Sequence, residues 1–288
     1  MKLALGTAQF GLFYGVANTM GQVSLAETSR IMALALSKGI DTLDTAIAYG
    51  ESEAALGRVG VNDWKLITKL PALPESGVDA ASWVEAQIEA SLARLGVQQL
   101  HAVLLHRPKQ LFGPQGSQLF QSLQDLVTAG TVQKIGVSVY APEELDTLFS
   151  NWDFGLVQAP MNVLDRRMLD TGWARRLRAR GVELHTRSTF LQGLLLMRSD
   201  QRPAWFDSWQ PLWASWARWL DDNGLTALQA CLRFALSQPE VDRVLVGVDS
   251  AAQLQSIIDS IAGPSPDYST GPSSDDPILL NPACWNFS

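Results

Sequence analysis

Cysteine, basic runs and long hydrophobic stretches are all scarce in this chain, and each scarcity removes a class of function. Among 288 residues there are two cysteines. Cys231 sits in the apolar run TALQACLRFAL and Cys284 lies near the end. Two thiols so placed exclude a disulfide framework, and the lack of any CxxC spacing argues against a metal centre. No unbroken Lys/Arg run exceeds two residues and the net charge is −7 with a pI near 5.0. A nucleic-acid partner would leave a basic footprint, so that class is set aside. A small anionic ligand stays compatible, because backbone amides and one or two cations can hold it. No apolar run reaches the length of a membrane span. The opening MKLALGTAQFG is too short for the apolar core of a signal peptide. A cytoplasmic protein with neither membrane nor nucleic-acid partners is expected. The GxGxxG that usually follows the first strand of a doubly wound sheet is also missing.

What the chain does have is a regular alternation. The hydrophobic fraction is 47%, ample for a buried core. Short runs at residues 3–5, 41–45, 65–69, 102–105, 134–139, 155–158, 182–186 and 244–246, most of them apolar and 41–45 alternating, read as strands. Segments of helical periodicity fall between them, with Ser24 and Glu27 at capping-box spacing and one long helix expected over 168–180. Strands apolar on both faces belong to a sheet covered on both sides. The expectation is an α/β fold, a (β/α)₈ TIM barrel filling residues 1–263 as one domain. From Gly263 the composition turns to Pro, Ser, Gly and Asp, then apolar again in ILLNPACWNF. Residues 264–288 are therefore expected to form an irregular tail docked on the barrel.

The stretch DTLDTAIAYG carries the chemistry. It would lift Asp44, and Tyr49 five residues on, off the carboxyl end of the second strand. Lys69 and His106 close the next two strand runs. In a barrel of this kind the active site gathers at those ends. Asp44 alone would read equally well as a strand-end cap; the four together do not. A free phenol titrates near 10, and an adjacent ammonium lowers that value. Lys69 can supply the ammonium, Asp44 can hold it, and His106 can orient a carbonyl oxygen. Such a set suits protonation of a carbonyl oxygen as a hydride arrives from a cofactor.

These residues carry a resemblance. DTLDTAIAYGESEAALG, the TKL at 68–70 and the LLHRP at 104–108 resemble an aldo-keto reductase, from Gly6 to the last helix. The resemblance implies a barrel that reduces an aldehyde or ketone with a nicotinamide cofactor. It implies Tyr49 as acid/base with Asp44, Lys69 and His106 as the catalytic set. For the cofactor it implies Gly6, Thr7 and Ala8 in the first loop, and Ser138 and Gln158 at the carboxamide. Ser188, Leu191, Gln192 and Gly193 would lie at the pyrophosphate, and Gly247 through Gln253 at the adenosine phosphate. Val139 stands where the family often has Asn. Arg187 stands where many members stack a Tyr on the nicotinamide. Gly247 and Gln253 stand where NADPH users often carry Lys and Arg, and Asp249 would repel a 2′-phosphate. The family implies NADPH, with NADH the alternative. A nucleotide-binding sensor without turnover, or a lyase using Lys69 as a Schiff base, are the competing readings.

Other polar and aromatic residues invite functional stories of their own. His101 and His185, in or beside apolar strands, read as structural. Arg166 and Arg167, after the sixth strand, could meet an anionic substrate but read first as a solvated loop. Of the tryptophans at 205, 209, 213, 216 and 219, Trp209, Trp213 and Trp216 recur at helical spacing, which reads as a buried stripe. They also follow the seventh strand, whose loop borders the active-site face, so one of them could line a substrate pocket.

Overall fold

Eight short runs pair in parallel, each with the next in sequence, and the last returns to the first. They are β1 (Leu3–Gly6), β2 (Thr42–Asp44), β3 (Lys65–Leu70), β4 (Leu100–Leu105), β5 (Val132–Ser138), β6 (Leu156–Pro160), β7 (Glu183–Arg187) and β8 (Arg243–Gly247). Closure rests on the β1–β8 ladder, where Leu3 to Gly6 match Val244 to Gly247. A closed sheet has no free edge, so every ladder donor and acceptor finds a partner. The computed structural model describes residues 1–16, 18, 20–75 and 77–285. The last three residues of the expected tail fall outside that set.

Between the strands run α1 (Ala8–Gly11), α2 (Leu25–Ser37), α3 (Ser52–Val59), α4 (Ala80–Leu95), α5 (Gly116–Thr128) and α6 (Glu143–Asn151). Then follow α7 (Arg167–Asp170), α8 (Trp173–Ala179), α9 (Gln210–Asp222), α10 (Ala227–Ser237), α11 (Ala251–Asp259) and α12 (Pro277–Leu280). Strand residues of one parity, such as Leu66, Val103, Leu105 and Val157, pack with helix residues such as Ile88 and Leu123 in one large core. The opposite parity supplies a smaller cluster, Ile67, Ala102, Leu104 and Leu156, which fills the barrel interior. The fold class expected from the alternation is the one observed.

Two local expectations change. The helix expected over 168–180 is two pieces, because Gly172 sits at φ 75, left-handed backbone that interrupts the turn. Ser24 does cap α2 by accepting from the Glu27 amide at 3.3 Å. The Glu27 carboxylate, however, accepts from the Ala251 amide at 2.7 Å instead of returning to its own cap.

The residues after Gly263 are bonded to the loop after β6 and to α9. Ser274 N–H donates to the Leu164 carbonyl at 2.9 Å and Arg166 donates to the Pro272 carbonyl at 3.1 Å. Arg167 is bound to Asp165 at 2.8 Å. Neither arginine is the solvated loop residue expected. The indole N–H groups of Trp209 and Trp219 hold Asp276 and Thr270 at 3.0 and 3.2 Å. Leu279 and Leu280 are buried, and Cys284 is exposed while Cys231 is buried in α10. His101 and His185 both reach Glu183 at 3.1 Å, at the amino end of β7 and opposite the loops described next.

Candidate active site

β2 delivers Asp44, and the chain stays against β3 beyond the strand end. The Thr45 amide bonds the Ile67 carbonyl and the Ile47 amide bonds the Lys69 carbonyl, at 2.8 and 3.2 Å. The turn that follows carries Tyr49 and leads into α3. Buried hydroxyls of Thr7, Thr45 and Ser52 tie this turn to β1. Thr7 donates to the Asp44 carbonyl at 3.0 Å and Ser52 donates to the Thr7 carbonyl at 2.9 Å. Gly11 is needed for the fit, since a Cβ there would lie 1.9 Å from the Tyr49 carbonyl oxygen. The first loop and the tyrosine turn therefore pack backbone to backbone.

Lys69 is 1% exposed and its Nζ donates to Asp44 at 2.6 Å and to the Thr45 carbonyl at 2.9 Å. Burial alone would lower its pKa, but the Asp44 carboxylate and then Tyr49 outweigh it and hold the ammonium above its usual range. The second Asp44 oxygen accepts from Gln158 Nε2 at 2.7 Å. The Lys69 ammonium lies 5.1 Å from the Tyr49 ring centre. His106 meets that ring edge-on, with centroids 6.2 Å apart and planes at 81°. Burial, and next the charge of Lys69, push its pKa down to about 4, so the imidazole is neutral near pH 7. The four residues singled out in the sequence thus stand together. Their chemistry is one phenol, one buried cation with its counter-ion, and one neutral imidazole.

From Asp44 and Tyr49 a cleft of about 510 Å³ runs across the barrel mouth to Asp249 and Gln253. That is the size of a small-molecule site. Gly6, Thr7, Ala8, Gln158, Arg187, Ser188, Gln192, Gly193, Gly247 and Gln253 all line it. Ser138 and Leu191 do not: Ser138 is buried beside Gln158 in the β5–β6 register, and Leu191 is wholly buried. Arg187 stacks on Tyr140 at 4.4 Å and donates to the Val139 carbonyl at 3.0 Å. None of the five tryptophans lines the cleft. The indole N–H groups of Trp209, Trp213, Trp216 and Trp219 hold the tail and neighbouring loops instead.

The loop after β7 is conformationally unusual. Ser188, Leu191 and Gln192 all have left-handed backbone, at φ 61, 48 and 54. Left-handed geometry costs a non-glycine residue on the order of 1–2 kcal/mol, so the surroundings must enforce it. Among the described residues the amides of Thr189, Phe190 and Gln192 make no hydrogen bond. They are spare donors in a strained loop on the cleft wall. Sequence reasoning missed Tyr14, Asn18 and Ser256, which also line it. Tyr14 reaches Gln192 at 3.4 Å, so the loop after β1 meets the one after β7. Both positions are distant in sequence, and no local pattern marks them.

The family model described as the aldo/keto reductase family matches residues 2–270. The chain belongs to this family. Among curated relatives, an aldo-keto reductase of Mycobacterium sp. (strain KMS) is 34% identical over 195 residues, 62% of this chain and 67% of the relative. A 6-dehydroglucose reductase of Agrobacterium fabrum is 30% identical over 145 residues, 44% of this chain and 45% of that protein. A solved aldo-keto reductase from Bacillus halodurans superposes with a TM-score of 0.73 at 19% identity, covering all of this chain and 93% of its own. A glycerol dehydrogenase from Gluconobacter oxydans gives 0.67 at 22% identity, covering 93% and 88%. At such identities the two structures speak for the fold. As an aldo/keto reductase, the chain is an NAD(P)H-dependent oxidoreductase of small carbonyl compounds. No helix among the described residues is long and apolar enough to cross a membrane.

Proposed function

We propose that this aldo/keto reductase converts an aldehyde or ketone to its alcohol in the cytoplasm, with Tyr49 as the proton donor. The observation that carries the reading is the buried Asp44–Lys69 pair beside the Tyr49 ring, with a neutral His106 at its edge. The donor set of the cleft fits a nicotinamide dinucleotide. Spare amides at 189, 190 and 192 suit a pyrophosphate. Gln158 spends an amide N–H on Asp44, which leaves its carbonyl oxygen as the acceptor it can offer a carboxamide. Arg187, fixed on Tyr140, stands on the same wall. When bound, the nicotinamide supplies a hydride to the substrate carbonyl carbon.

The chain's own groups do the rest. His106, neutral, offers an N–H to the substrate oxygen and so orients the carbonyl. Tyr49 hands its proton to that oxygen as negative charge develops there. The Lys69 ammonium favours the phenolate left behind, and Asp44 keeps Lys69 in place. An elevated lysine pKa opposes imine chemistry, which needs the free amine, so the Schiff-base reading loses ground.

Tyr49→Phe removes one oxygen and keeps the ring. Reductase activity on a panel of aldehydes should fall by about 10²–10⁴-fold, with nucleotide affinity little changed by calorimetry. Full activity in this variant would sink the assignment. Tight nucleotide binding by the wild type, with no turnover of any carbonyl, would point to the sensor reading.

A further inference from the structure

The two ends of the cleft differ in charge, and the difference bears on which dinucleotide it takes. This inference rests on the dinucleotide reading above. Hydride transfer requires the nicotinamide beside Tyr49, so the adenosine ribose lies toward the other end. There the wall is Asp249, Ala252, Gln253, Ser256 and Ile257, without a lysine or arginine. A phosphate monoester at the ribose 2′ position carries about −1.5 to −2 charges near pH 7. It must be met by cations or by free amides at a helix start.

Helix α11 does start here, but of the amides in its first turn only that of Ala252 is spare among the described residues, and the others are taken. The Asp249 amide bonds Gln253 Oε1 at 2.7 Å and the Gln253 amide bonds Ser250 Oγ at 3.2 Å. The Ala251 amide bonds Glu27 Oε1 at 2.7 Å. Glu27 thus brings a carboxylate from α2 to the place where a phosphate would seek a donor. Its own partner, Arg30, is held at 2.8 Å and is 67% exposed. A second carboxylate, Asp249, lines the cleft itself, and Asn18 Nδ2 approaches it at 3.4 Å. A carboxylate accepts hydrogen bonds from a hydroxyl and repels a phosphate.

We propose that Asp249 receives the ribose 2′-hydroxyl and that, with Glu27 closing the start of α11, it makes this enzyme selective for NAD(H) over NADP(H). The NADPH expected from the family resemblance gives way at this end of the cleft. The same logic separates the two cofactors where an acid or an arginine stands at the ribose of other dinucleotide folds.

The test is calorimetric titration of the purified full-length protein with NADH and with NADPH at fixed ionic strength. NADH should bind at least tenfold more tightly. Asp249→Asn should weaken NADH several-fold and tighten NADPH, so that the ratio falls about tenfold or more. Glu27→Gln, which keeps an acceptor for the Ala251 amide, should move the ratio the same way by less. Circular dichroism melts establish that each variant is folded, and Asp249→Ala serves as a second variant if the asparagine form is unstable. Equal or tighter binding of NADPH by the wild type overturns the proposal, as does a ratio that Asp249→Asn leaves unmoved. If a folded wild type bound neither nucleotide, the dinucleotide reading itself would fall, and the selectivity with it.

Discussion

His106 shows how much a single site residue depends on its neighbours. Unfolded, a histidine titrates near 6.5. In the folded protein, burial together with the charges of Lys69, Arg187 and Arg107 outweighs Asp44 and brings the value to about 4. Between those two values the unfolded chain binds more protons than the folded one. Stability must therefore rise with pH through that window and be fully gained above about 6.5. His106→Gln should remove part of that rise. Urea midpoints at pH 4.5 and 7 would differ less in the variant than in the wild type, and an unchanged difference would contradict the assignment. At this scale the sequence was informative where spacing is local. Asp44 and Tyr49 are five residues apart, and Lys69 and His106 end neighbouring strand runs. The partners that complete the set were not legible. Gln158 reaches Asp44 across 114 residues and Glu27 reaches Ala251 across 224, and only closure of the barrel brings them together.

Among the elements, strands were the most legible because most are short apolar runs at regular spacing. Helix α2 was marked by its cap, whereas the Thr226–Gln229 capping box of α10 was found only in the structure. The break between α7 and α8 was not, since a glycine within helical periodicity can be tolerated or can terminate. The two cases predict opposite results for Gly172→Ala. In a continuous helix, alanine would stabilise by about 1 kcal/mol. At φ 75, a side chain costs about 1–2 kcal/mol although the space around it is open. We expect the melting temperature to fall by a few degrees with reductase activity retained, as read by calorimetry and a standard assay. A rise would mean that the helix is unbroken in solution. The strained loop after β7 was equally invisible, because Ser, Leu and Gln carry no left-handed preference; the barrel mouth imposes it.

The whole molecule is a barrel with a strap. Composition set this segment apart, since Pro, Ser and Gly displace the alternating pattern after Gly263. Its anchoring points were hidden, because tryptophans at helical spacing look the same whether they face a core, a ligand or another stretch of chain. Here two indole N–H groups and Arg166 take hold of it, and Arg233 donates to the carbonyls of Ser260, Ala262 and Pro264 at its root. No described residue of the strap lines the cleft. The thiols divide along the same line. Cys231 is sealed in α10, where burial drives its pKa up, and Cys284 is exposed on the strap. Each native chain should therefore take up one equivalent of a thiolate-seeking dye, and two in denaturant, counted by mass spectrometry. Rapid uptake of two by the native enzyme would mean that α10 opens. One equivalent would make the natural protein its own singly tagged reagent: a fluorophore at Cys284 would report when the strap lifts, with no residue of the cleft altered.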